Sequence, residues 1–179
     1  MPASTLVNDA TYKDVMDIGI AQWRKERPDI DPSAKAITGR ILRLHDVILR
    51  AFNSAFTPHG LKYPNYAVLA TLRSMGEPYE MTPSALQDMM VLTSGGLSKL
   101  LGRLESQKLI IRKVGPTDRR SVIVKLTEKG RVLIDEAMVT QAKVEHELIA
   151  SLEMDERHLM ESLLRRLVLT NGGRFLSAD

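Results

Sequence analysis

The sequence contains no cysteine, one tryptophan, four histidines and only 4% aromatic residues among its 179 positions. Without thiols, disulfide frameworks, thiolate nucleophiles, cysteine redox switching and thiolate-based zinc sites are excluded. The histidines stand at His45, His59, His146 and His158, too far apart for any pair to share one helix turn as a metal-ligating motif. No apolar run approaches membrane-spanning length, and no secretory apolar segment lies in the charged first thirty residues. The composition predicts a cytoplasmic protein with no membrane partner. A glycine-rich phosphate cradle is absent too, as is any nucleophile–base arrangement, so an enzyme is not expected and neither is a cofactor or metal.

What is present is a globular composition, 44% hydrophobic and 26% charged, with a net charge of only +3. The charge is unevenly spread. Between Thr93 and Arg131 ten basic residues face three acidic ones, giving +7 there and −4 for the rest of the chain. A local positive field on a near-neutral chain is the footprint of a polyanion binder, although basic surface segments without that role are common.

The pattern along the chain is mostly helical. Residues 1–10 read as a tail, and Thr11–Glu26 as a helix stopped by Pro28. A long helix follows Asp31 with Pro32 in its first turn; Ile37, Ile41, Leu44, Ile48 and Phe52 form its apolar stripe, and Pro58 and Gly60 end it. A shorter helix buries Tyr66, Leu69 and Leu72, and Thr82 caps a short helix with Pro83 at its first position. Thr93 and Ser94 offer a cap for the next helix, running to Lys108, with Leu97, Leu100, Leu101 and Leu104 inward. The period then changes. "LIIRKV" and "SVIVKL" flank the polar turn "GPTDRR", which predicts a two-stranded antiparallel hairpin. Thr127 caps a long helix striped by Leu133, Ala137, Thr140, Val144 and Leu148, and a last helix with Asp155 near its start ends before Gly172 and Gly173.

Helix, tight connection, helix and hairpin make a winged helix-turn-helix, so the predicted fold class is mostly α with a small β-wing and long dimerisation helices. In that arrangement the second helix enters the major groove and the wing reaches the backbone or minor groove. Its outward face carries Gly95, Ser98, Lys99, Gly102, Arg103 and Ser106, small, polar and basic; Ser94 at its start, Gly95, Ser98, Lys99 and Arg103 are the candidate DNA contacts. Glycines at 95 and 96 each cost a helix about 1 kcal/mol against alanine, which suits a first turn that must approach either a groove wall or the preceding helix. In the hairpin loop, Asp118 can orient a neighbouring guanidinium, while Arg119 and Arg120 supply the forks that a narrow minor groove attracts. A solvated charge run would also be stable there.

The stretch "LTSGGLSKLLGRLESQKLIIRKVGPTDRRSVIVKLTEKGRVLI" resembles the central region of the MarR family of winged-helix transcriptional regulators, including Asp-x-Arg followed by five residues and Leu-Thr at Asp118, Arg120, Leu126 and Thr127. The resemblance covers residues 34–169. It implies one MarR-like domain over residues 11–179: N-terminal dimerisation and pocket helices at 11–60, a winged lobe at 61–127, C-terminal dimerisation helices at 128–171 and a tail at 172–179. It further implies a homodimer that binds double-stranded, pseudo-palindromic operator DNA and lets go when a small aromatic or anionic effector enters a pocket between the dimerisation helices and the DNA-binding lobe. "WRKERPDIDPSA" resembles the extra N-terminal helix of the urate-responsive branch, which implies effector contacts at Trp23 and Arg112. Tyr66 and His45 complete the candidate pocket. That branch carries an aspartate where this chain has Ala67 and an arginine where it has Leu100, which implies a more apolar ligand than urate.

Three functions follow from these readings. The first is a ligand-responsive repressor; the second is a constitutive DNA-binding repressor in which Trp23 only anchors its helix. The third, a winged helix used as a protein-interaction module, would replace Lys99, Arg103, Arg119 and Arg120 by neutral or acidic groups.

Overall fold

The computed structural model describes residues 12–90, 94–114 and 122–171. Its chain divides into two compact units, residues 44–144 and the combined segments 1–43 and 145–179, with both boundaries falling inside helices. The elements are the helices α1 (Val15–Glu26), α2 (Lys35–Ala55), α3 (Tyr63–Ser74), α4 (Pro83–Met90), α5 (Ser94–Ser106), α6 (Glu128–Leu148) and α7 (Met154–Thr170), with strands β1 (Glu80–Met81), β2 (Ile110–Val114) and β3 (Val122–Leu126). The mostly α class with a small β-wing is as the periodicity predicts. No described helix is long and apolar enough to cross a membrane.

In the terminal unit, α1 begins at Val15 and not at Thr11, because Asp14 caps it. The Asp14 carboxylate accepts from Met16 N (2.7 Å) and Asp17 N (3.0 Å), and Asp17 accepts from Asp14 N (3.0 Å) in return. Arg40 of α2 donates to Asp14 (2.8 Å) and Asp17 (2.7 Å), which ties that cap to the second helix. Gly39 of α2 faces the Met16 thioether of α1, a flexible side chain that would shift to admit a Cβ there. The second helix also starts later than expected, at Lys35, because the Asp31 side chain takes the Ser33 N–H (2.9 Å) and hydroxyl (2.7 Å) and holds that segment as a turn. A 3-10 turn, Thr57–His59, and left-handed Gly60 follow α2. The last helix, α7, starts where Glu156 accepts the Glu153 N–H at 2.8 Å.

The central unit holds the main core. Phe52 of α2 and Phe56 just after it meet Leu61, Tyr66, Leu69 and Leu72, Leu86 of α4, Leu97, Leu101 and Leu104 of α5, Ile110, Val124 and Leu126 of the sheet, and Ile134 and Ala137 of α6. The buried line of α6 is Gly130, Ile134 and Ala137, while Leu133, Thr140, Val144 and Leu148 of the expected stripe are half-buried. The sheet has three antiparallel strands in the order β1-β3-β2: β2 and β3 are the expected hairpin, and β1 adds a strand to it that the sequence reading did not include. Its third strand is two residues long, Glu80 opposite Lys125 and Met81 opposite Val124, too short to show a period in sequence.

Candidate nucleic-acid interface

Three apolar side chains fix α5. Leu97, Leu101 and Leu104 are buried and Leu100 is half-buried against the same core, which turns Gly95, Ser98, Lys99 and Arg103 to the surface. The helix ahead of it, α4, is capped by Thr82, whose hydroxyl accepts from Ala85 N at 3.2 Å. Beyond the helix's own backbone and the neighbouring residues, no heavy atom among the described residues lies within 4 Å of where a Cβ would stand on Gly95 or Gly102. Close packing on the preceding helix therefore does not explain Gly95, and the space in front of it is open.

The junction from α5 to the wing is a left-handed turn. Lys108 has φ 60°, its N–H donates to the Glu105 carbonyl (2.8 Å), and Leu109 N donates to the Leu104 carbonyl (3.0 Å), the paired bonds of a Schellman motif. Glycine normally fills that position; with lysine there, the helix stop at Ser106 has no sequence signal, and it falls short of the expected Lys108. Strands β2 and β3 then pair from Ile110–Leu126 to Val114–Val122. Thr127 closes the hairpin base. Its hydroxyl lies 2.8 Å from the Lys108 carbonyl and accepts from Gly130 N at 3.0 Å, capping α6.

The cations of this unit fall into two groups. Arg73 meets Asp135 (2.7 Å), Arg131 meets Glu128 (2.6 Å) and Asp135 (3.0 Å), Lys113 meets Glu80 (2.6 Å) and Lys129 donates to the Gln107 carbonyl (3.0 Å). Arg112 is engaged by Glu105, with its Nε 2.9 Å from Oε2 and a second bond from Nη2. That hydrogen bonding holds the Glu105 carboxyl below its ordinary range and raises the Arg112 guanidinium. Lys99 and Arg103 have no ion pair among the described residues. Lys99 and Arg103 thus leave positive charge on the outer face of α5 that no described carboxylate neutralises, as do Arg50, Lys62, Lys108, Lys125 and Lys143 elsewhere in the unit. Asp118, Arg119, Arg120 and the side chain of Ser94 lie outside the described residues.

Of the candidate effector residues, Trp23 belongs to the terminal unit and His45, Tyr66 and Arg112 to the central one. Trp23, 44% exposed in the terminal unit, lies under the Lys35 ammonium at 4.8 Å in a shallow groove with Gln22 and Glu26. In the central unit Tyr66 is buried and stacks on Phe56 at 4.4 Å, exposed His45 faces Asp46 at 3.5 Å, and Arg112 faces Glu105. The carboxylates Glu105 and Glu80, which decide which cations are free, escaped the sequence reading. No local pattern marks them, because each finds its partner across a turn or a strand.

A helix-turn-helix with a braced β-hairpin and an un-neutralised basic helix face defines a winged-helix DNA-binding regulator. A family model described as MarR family matches residues 59–121. The chain is 32% identical to the HTH-type transcriptional regulator PecS of Dickeya dadantii, over 88% of this chain and 95% of that protein. It is 31% identical to the HTH-type transcriptional regulator MhqR of Bacillus subtilis, over 74% of this chain and 94% of that one. Among solved structures, a mutant MarR from E. coli complexed with operator DNA matches with a TM-score of 0.67 at 26% identity, covering 75% of this chain and 97% of that chain. The organohalide-sensing regulator RdhR, in its 2,4-dichlorophenol-bound form, shares the fold with a TM-score of 0.67 at 24% identity, over 74% of this chain and 77% of that chain. The chain belongs to the MarR family of winged-helix transcriptional regulators.

Proposed function

We propose that the protein is a repressor that binds a pseudo-palindromic operator as a symmetric homodimer and releases it when a small aromatic or anionic molecule binds. The observation that carries the DNA-binding part is the outer face of α5, where exposed Lys99 and Arg103 have no ion pair among the described residues, whereas Arg112 and Lys113 on the following strand are matched to Glu105 and Glu80. A MarR bound to operator DNA and a dichlorophenol-bound organohalide sensor support the two halves of the reading by likeness. Ser98, Lys99 and Arg103 meet base edges and adjacent phosphates in the major groove; Arg119 and Arg120, oriented by Asp118, supply minor-groove and backbone affinity. Trp23, His45, Tyr66 and Arg112 are the residues to test for effector contact, one variant at a time.

The test is binding to duplexes recovered by selection from a random library, followed by titration of small aromatic acids, phenols and purines. R103A is expected to weaken the selected duplex by about 1–3 kcal/mol and to relax its sequence preference, whereas R120A weakens all duplexes and lowers the salt slope by about one unit per subunit. Quenching of Trp23 by a compound that also frees the DNA supports the switch. Binding without release, or no active compound, leaves a constitutive repressor. Failure to recover any preferred duplex rejects DNA recognition and favours the protein-interaction reading.

A further inference from the structure

Adjacent residues of a strand point to opposite faces, and in β2 the two adjacent cations each find a carboxylate from a different element. Arg112 stands opposite Val124 in the register, on the face turned to the core, and there it meets Glu105 on the last turn of α5. Glu105 takes the Arg112 backbone N–H (3.2 Å) and Nε (2.9 Å) as well as Nη2, so it fixes both the strand and the side chain. Lys113 stands opposite Ile123 on the other face. It reaches past β3 to Glu80 of β1 at 2.6 Å, consistent with Glu80 pairing with Lys125 on that same face. The middle of the hairpin is therefore held from both sides, to the recognition helix by one ion pair and to the far edge strand by the other.

We propose that Glu105 is a positioning residue for DNA recognition, which fixes the direction of the wing relative to α5, and that Glu80 braces the opposite face. Glu105 touches no base or phosphate in this role; it acts through Arg112 and strand β2, which leads into residues 115–121. The reading rests on α5 being the DNA-binding helix. Its sign separates it from plain electrostatics. A carboxylate beside a DNA-binding face repels phosphates, so replacing it by an amide should on charge alone tighten binding to every duplex. A brace predicts the opposite.

The experiment measures affinity and salt dependence on the selected duplex for the wild type, E105Q, E80Q and each carboxylate variant combined with R119A/R120A. The expected result is a loss on the order of fivefold for E105Q and a smaller loss for E80Q, with the unfolding midpoint of E105Q close to wild type, since exposed pairs contribute little to stability. In the R119A/R120A background the same changes should have no further effect, because the brace works through the loop it aims. Unchanged or tighter binding by both E105Q and E80Q, while R103A is impaired, overturns the brace and leaves α5 as the reader. Equal losses with and without the loop arginines also overturn it. If K99A and R103A bind as wild type, the DNA-binding face itself was wrongly assigned.

Discussion

Two glycines of the winged unit illustrate opposite uses of the same residue. A Cβ on Gly130 would stand 2.1 Å from the Leu109 carbonyl oxygen and 2.9 Å from Leu126 Cδ1, because the bond from Thr127 N to that carbonyl (3.0 Å) draws the start of α6 against the hairpin base. Backbone cannot yield as a side chain does. G130A should therefore destabilise the protein by about 1–3 kcal/mol, read as a lower denaturant midpoint at unchanged slope. Gly95 has open space instead, so intrinsic propensity alone governs the free protein, and G95A should raise stability by up to about 1 kcal/mol. If the first turn of α5 lies against a groove wall, the same methyl group weakens operator binding. A G95A protein that is more stable and binds as tightly as wild type would show that the groove does not come close there.

At the scale of elements, what could be read from sequence tracks how local the cause is. The hairpin was legible because β-branched runs changed the period from 3.6 to 2, and Leu97, Leu101 and Leu104 marked the buried side of α5. Strand β1 was not, since its pairing with β3 depends on a partner more than forty residues away. The start of α1 at Asp14 rather than Thr11 is set by a reciprocal cap that Arg40 completes from another helix. Likewise, the cluster of positive charge was visible in composition, but which cations remain free depended on Glu105 and Glu80 arriving beside Arg112 and Lys113.

That cap has its own pH dependence. Hydrogen bonding from the Asp17 backbone, then from Arg40, holds the Asp14 carboxyl below its ordinary value. A depressed carboxyl stabilises the folded state fully above its ordinary value and loses that contribution as pH falls towards the folded value. The attachment of α1 should therefore loosen only in acid, below about pH 4. Trp23 sits on this helix and is the only tryptophan, so its fluorescence reports the change directly. In D14N the asparagine can still cap, yet Arg40 keeps only the Asp17 carboxylate as its charged partner. The Trp23 signal of D14N should already differ at pH 7 and should lose most of its acid dependence; an acid transition identical to wild type would separate Asp14 from the docking of α1.

For the whole molecule, the open question is what covers α7. None of its described residues is buried, and Leu159, Leu163, Leu164, Leu167 and Val168 are each more than 40% exposed. A 17-residue helix gains too little from propensity alone to persist in water with such a face uncovered. Ile37, Ile41 and Leu42 of α2 add to the uncovered apolar surface of the same unit. A second copy is the occupant that the proposed two-fold operator requires, since an isologous interface places two identical readers on an inverted repeat. The unfolding temperature should then rise with protein concentration, and sedimentation at low micromolar concentration should give twice the chain mass. Leu163 and Leu167 lie one turn apart, so L163R/L167R puts two charges on one stretch of the face. That variant should sediment as a monomer, lose helix content and bind the full operator little better than one half-site, because the link between half-sites is gone. For the wild type, inserting about five base pairs between half-sites should abolish tight binding by turning one groove away, given recognition helices roughly one 34 Å turn apart. A wild-type monomer with a concentration-independent unfolding temperature and indifference to that insertion would reject the dimer and leave α7 to be covered by some other chain.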